Sequence, residues 1–329
     1  MQMILNWVNL IIQNWIRILS VKRGWIKDFD NIIAKYAKNF ELLKVLETNC
    51  IEIKRIRFSK DKCVIILASE DGGIQLWDVA SGSYIQTLRG RTNWITDVDL
   101  SSDGNNVISC SRDKTIRLWS VKSGQQIKML DRHSSWISCI NFSPNGKYFI
   151  SGSSDEIKIW DAESGKEIKK LIGHSNVINN VEFSPNGQMI VSSSDDATIG
   201  IWDMKTGKKI KHLKGSFNCV SCARFSPDGQ HIVFSSNNKT IRIWEIQSGK
   251  QLQVFEGHSD AIRYLKYFPD GQTICSCSND GTARLWNVKS GKEIQQFKGK
   301  QKGILLFDIS SDGNTIALNS GERSIEIWG

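Results

Sequence analysis

Residues 173–203 read GHSNVINNVEFSPNGQMIVSSSDDATIGIWD. Within them stand His174, Ser192 and Asp196, the three side-chain types of a hydrolytic triad, so the stretch is either a reactive site or a piece of architecture. Comparing the chain with itself decides between the two. Trp77, Trp119, Trp160, Trp202, Trp244, Trp286 and Trp328 follow one another at intervals of 42, 41, 42, 42, 42 and 42 residues. Each closes a short apolar run: IQLW, TIRLW, IKIW, TIGIW, TIRIW, TARLW and SIEIW. All four prolines (Pro144, Pro185, Pro227 and Pro269) fall at one position of the period, in SPNG, SPNG, SPDG and FPDG. Pro pre-sets the backbone of a tight turn, and a Gly two residues later accepts positive φ at no steric cost. A second turn, Ser-Gly or Thr-Gly, follows every one of these tryptophans except the last.

Each period therefore reads as four short strands, a to d. In the quoted unit the spacing predicts a over 178–183, b over 189–193, c over 198–202 and d over 209–213. One such unit cannot bury its faces alone, whereas seven stacked around an axis can, which is the logic of a β-propeller. The last period stops at Trp328-Gly329 without a strand d, and Leu42–Leu46 aligns with Tyr84–Leu88, the strand d of another unit. The expectation is an all-β, seven-bladed propeller over 41–329, with residues 42–46 completing the last blade.

A short α-helical extension is expected over 1–40. Ile4, Trp7, Val8, Ile11, Trp15 and Leu19, then Trp25, Phe29, Ile32, Ile33, Tyr36 and Phe40, follow helical spacing on either side of Lys22-Arg23-Gly24. Three uses of it stay open: packing on the propeller, the remnant of a larger helical domain, or binding of a partner helix or membrane surface.

A Gly-His pair, a Ser-Pro-Asn/Asp-Gly turn, a serine-rich strand, an Asp and a closing Trp-Asp resemble the WD-repeat family. The pairs here are Gly173-His174 and Gly257-His258, and Trp-Asp stands at 77–78, 160–161 and 202–203. The resemblance covers roughly residues 42 to 329. It implies that His, Ser, Asp and Trp form a hydrogen-bonded network inside a blade. Three units carry all four parts: His133, Ser151, Asp155 and Trp160; His174, Ser192, Asp196 and Trp202; His258, Ser276, Asp280 and Trp286. The first is one residue short in its b–c turn. In the other units Asn49, Arg91, Ser216 and Lys300 stand at the His position, and Leu67 and Phe234 replace Ser. A trio that recurs every ~42 residues with Trp as a fourth member fits structure better than catalysis, so no catalytic residue is assigned.

Composition narrows the rest. The 329 residues carry a net charge of +9, which permits an acidic partner without identifying one. The eight cysteines lack the dense spacing of a disulfide scaffold, and Cys219 and Cys222 fall three apart on a strand, facing opposite ways. No metal and no cofactor is expected. No apolar run approaches the ~20 residues of a membrane span and no secretory signal is visible, so an intracellular setting, cytoplasmic or nuclear, is expected.

Function should then lie on the faces. The resemblance implies a top face made by the d–a and b–c loops, the common docking surface for peptides and partner domains. Carried over slot by slot, the candidate partner-binding residues are Trp94, Trp136, Arg112, Arg263, Lys54 and Asp195. Trp94 and Trp136 occupy equivalent slots on adjacent blades and are not the tryptophans of strand c. Two readings of these rings stand: an exposed binding surface, or packing between blades beneath the loops. The channel-facing slot that holds aromatic rings in arginine-clamping relatives holds Lys54, Thr96, Ser138, Asn179, Ser221, Arg263 and Leu305 here, so no aromatic cage is expected. On the bottom face, Lys122, Lys166, Lys205, Lys208, Lys250, Lys289 and Lys292 recur at turn positions, where lysines usually solvate a turn; no nucleic-acid motif accompanies them. The expected function is a non-enzymatic scaffold for a protein or peptide partner; the alternative is the ligand- or substrate-sensing propeller of a larger regulatory protein.

Overall fold

The computed structural model describes residues 39–50, 52–90, 93–131, 133–214, 219–299, 304–321 and 323–329. The helical extension expected over 1–40 lies outside the described residues except for residues 39 and 40, which are in neither helix nor strand; Arg91, Ser216 and Lys300 also lie outside them. The chain divides into two compact units, Met1–Phe40 and Glu41–Gly329. The second unit is built of seven four-stranded antiparallel sheets. In the quoted unit, blade 4, the strands are Ile178–Phe183, Met189–Ser194, Thr198–Asp203 and Lys209–Lys214. The a–b turn is closed by the amide of Gly187 donating to Ser184 O at 2.8 Å, and Gly187 takes φ 70°, where a side chain would be strained.

The ring closes with a strand from near the start of the chain. Leu42–Glu47 pairs antiparallel with Ser324–Trp328, Leu46 opposite Ile325 and Leu42 opposite Trp328. This strand is the fourth of blade 7, outside strands Phe307–Ile309, Ile316–Asn319 and Ser324–Trp328. Innermost strands are neighbours all the way round, and Phe307–Ile309 of blade 7 lies against Ile53–Phe58 of blade 1. The core is a set of layers between blades. Between blades 3 and 4, for instance, Ile150, Ile157, Ile159 and Leu171 meet Ile178, Val181, Ile190 and Trp202.

A second tie between blades recurs at the third position of strand d, which reaches the c–d turn of the next blade. Lys44 Nζ donates to Val79 O and Ala80 O at 3.2 and 2.6 Å. Gln86, Lys128, Lys169 and Lys211 make the corresponding bonds to the turn carbonyls at Val121, Glu163, Met204 and Ile246. Each satisfies turn acceptors that have no strand partner.

Candidate functional site

In blade 4 the indole Nε1 of Trp202 donates to Ser192 Oγ at 2.8 Å, Ser192 lies 2.7 Å from His174 Nε2, and His174 Nδ1 lies 2.8 Å from Asp196 Oδ2. Blade 6 repeats this with Trp286, Ser276, His258 and Asp280, each step at 2.8 Å. The donors run one way. Because the indole can only donate, Ser donates onward to Nε2, and the imidazole carries its proton on Nδ1 toward the carboxylate. Burial lowers the His174 and His258 pKa values, against the pull of their carboxylate partners, so the rings are neutral near pH 7.

Blade 3 departs from the expected set. Its shorter b–c turn leaves Asp155 exposed and brings Glu156 to His133 Nδ1 at 3.1 Å, while His133 Nε2 and Trp160 Nε1 meet Ser151 Oγ at 2.7 and 2.8 Å. Glu156 is buried and also pairs with Lys158 and Lys170. Burial and the Lys158 charge push the His133 pKa down to about 4. In blades 1 and 7, which lack the network serine, the indoles of Trp77 and Trp328 donate instead to Gln75 and Glu326 of their own strands, at 3.0 and 3.1 Å.

The hydroxyl–imidazole–carboxylate order is that of a catalytic triad, but the setting is not. Ser151, Ser192 and Ser276 are completely buried, and each Oγ already accepts an indole N–H. A nucleophile must reach a substrate carbonyl beside an oxyanion pocket, and these three cannot. The cysteines part in the same way. Cys219 Sγ donates to Asp195 Oδ1 at 2.6 Å, whereas Cys222 is buried with Leu265 O at 3.8 Å. Burial and the Asp195 carboxylate push the Cys219 pKa up to about 12, far from a reactive thiolate.

Inside the ring, the residue before the last of each innermost strand is polar: Arg57, Asp99, Asn141, Glu182, Arg224, Lys266 and Asp308. Arg57 Nε donates to Asp99 at 3.3 Å, Arg224 Nη1 to Glu182 at 2.6 Å, and Lys266 Nζ to Asp308 at 2.6 Å. The same acids accept backbone amides of the next blade, from Phe142, Phe225 and Phe58 at 2.8, 3.0 and 2.8 Å. One layer away, Arg55 holds Asp97 through two bonds at 2.5 and 2.9 Å.

Tyr264 of blade 6 spans the centre. Its hydroxyl accepts from Arg57 Nη1 of blade 1 at 2.7 Å and from Arg224 Nη2 of blade 5, and its ring lies 4.8 Å from the guanidinium carbons of both Arg55 and Arg224. Burial pushes the carboxyls of Asp97 and Asp308 up, but Arg55 and Arg57 beside the first, and Lys266 and Arg57 beside the second, hold both below the usual range. Sequence reading missed this cluster. Its signal was a polar residue recurring at one slot of an otherwise apolar strand.

Of the two tryptophans singled out by slot, Trp94 is 41% exposed and Trp136 half-buried. They are brought together through Arg112, whose guanidinium carbon lies 4.2 Å from the Trp94 ring centroid and 5.9 Å from that of Trp136. Lys54 Nζ lies 5.6 Å from the Trp94 ring, held by Glu52 at 2.7 Å and Glu70 at 3.4 Å. Arg263 and Asp195 make separate contacts: Arg263 Nε donates to Asn279 Oδ1 at 2.8 Å, and Asn179 donates to Asp195 at 2.7 Å. The bottom-face lysines are exposed at their turns. Among the described residues no group of three or more His, Cys, Asp or Glu side chains is placed to hold a metal ion, and no helix is long and apolar enough to cross a membrane.

Repeats of the kind described as "WD domain, G-beta repeat" match residues 82–120, 124–161, 165–203, 207–245 and 249–287, more than half of the chain, and the protein belongs to that family. Each matched unit runs from the end of one blade through strand c of the next, so five units touch six blades. Three curated relatives each match over about one repeat. The chain is 46% identical over 41 residues to nuclear distribution protein PAC1-2 of Uncinocarpus reesii, and 43% over 42 residues to a lissencephaly-1 homolog of Monosiga brevicollis. It is 33% identical over 52 residues to nuclear distribution protein nudF 1 of Talaromyces marneffei. These stretches are 12, 13 and 16% of this chain and 9, 10 and 11% of the relatives, so they identify the repeat and carry no role across.

Proposed function

We propose that this propeller is a non-enzymatic interaction scaffold, with a protein or peptide partner held on the top face around Trp94, Trp136 and Arg112, and Lys54, Arg263 and Asp195 along the same rim. The observation that carries the reading is the placement of Arg112 across two tryptophans that no blade needs for its internal network. Trp and Arg dominate binding hot spots, because they bury a large area while keeping a polar handle. The buried state of the three network serines supports the non-enzymatic half, and the family is one of interaction modules. An intracellular partner is proposed because all eight cysteines are free thiols.

Affinity capture with the full chain tests this, comparing wild type with a Trp94→Ala/Trp136→Ala variant of unchanged urea midpoint. Specific partners should be lost from the variant alone. Identical capture by both proteins would move the working surface elsewhere.

A further inference from the structure

A guanidinium has two flat faces and a rim of five N–H donors. Aromatic rings take the faces, and the rim matches a carboxylate bidentately. Arg112 is exposed, with the rings of Trp94 and Trp136 beside it. Among the described residues no carboxylate lies within salt-bridge distance of it, and its guanidinium donates to no acceptor. Other cations of the propeller differ. Lys54 is held by two glutamates, Arg263 by Asn279, Arg224 by Glu182 and Lys266 by the buried Asp308. Trp94, for its part, already has cations near it from Arg112 and Lys54, so its faces are poorly disposed to receive another.

We infer that this patch takes an acidic peptide segment. An aspartate or glutamate side chain seats on the rim of Arg112, and an adjacent apolar side chain lies against the exposed edges of Trp94 and Trp136. This rests on the top-face reading above and adds the chemistry of the partner. Two flanking rings restrict the Arg112 side chain before binding, which reduces the ordering cost of a bidentate contact. A basic segment meets repulsion at Arg112 and gains no free aromatic face.

The test is selection from a random heptapeptide display library on the full-length protein, with parallel selections on Arg112→Gln, Arg112→Glu and Trp94→Ala/Trp136→Ala. Wild type should enrich Asp or Glu next to an apolar residue. The best such peptide should bind Arg112→Gln about tenfold to a hundredfold more weakly, the range of one charge-assisted hydrogen-bonded contact, and Arg112→Glu should enrich Lys or Arg instead. Enrichment of basic peptides on wild type, acidic peptides indifferent to Arg112→Gln, or no enrichment at all would overturn the inference. If peptides lose affinity in the Trp94→Ala/Trp136→Ala variant yet ignore Arg112, the carboxylate assignment falls while the top face stands. If binding survives loss of both tryptophans, the top-face reading falls with it.

Discussion

At the scale of single residues, the buried imidazoles make stability depend on pH. His133, His174 and His258 have folded pKa values below that of a free histidine, with His133 near 4. The unfolded chain therefore binds protons first as pH falls, and stability present above about pH 6.5 is lost on the way down to pH 4. For His133 alone, buried to 6% exposure, the loss is roughly 3 kcal/mol. Urea midpoints should fall between pH 7.5 and pH 4.5, and less steeply in His133→Asn; a flat profile would mean that the folded rings take up protons without penalty. A further loss belongs below pH 3.8, where Asp280, held down to about 2 mainly by bonds from Thr282 and His258 against burial, becomes protonated. The spacing of Trp, Ser and His was plain in the sequence. Glu156 was not, because a turn shortened by one residue moves the acid from the turn onto the head of strand c, where the next side chain points at the ring.

At the scale of strands, Leu42–Glu47 enters the core through a single side chain. Leu46 is 2% exposed and packs with Ile53, Ile56 and Ile325, whereas Leu43 is 63% exposed. Leu46→Ala should cost about 2–4 kcal/mol by leaving a cavity between blades 7 and 1. Leu43→Ala should stay within about 0.5 kcal/mol. Equal effects in chemical denaturation would show that the strand does not seal the ring. Strand limits were readable to within a residue in blade 4, because the tryptophans and the Pro–Gly turns both mark the period. The clasp from Lys44, Lys169 and Lys211 to the next blade was not. A lysine on an edge strand looks solvated until the neighbouring turn is placed beside it.

At the scale of the whole molecule, the centre of the ring is bridged. Four cations (Arg55, Arg57, Arg224 and Lys266) face four acidic side chains (Asp97, Asp99, Glu182 and Asp308), each cation bonded to one of them. Tyr264→Phe keeps the ring beside Arg55 and Arg224 but removes the acceptor shared by Arg57 and Arg224. It should lower stability by about 1–3 kcal/mol, read as a lower thermal midpoint; no change would mean that water replaces the hydroxyl. Sevenfold stacking was legible from the repeat count alone. The bridge was not, since Arg57 and Tyr264 are 207 residues apart and meet only once the circle is drawn. Closure by Leu42–Glu47 also orders events on the ribosome. Six wedges can assemble as they leave the exit tunnel, while that early strand stays without its partner until Ser324–Trp328 has been made, so the seventh wedge and the closed circle come last.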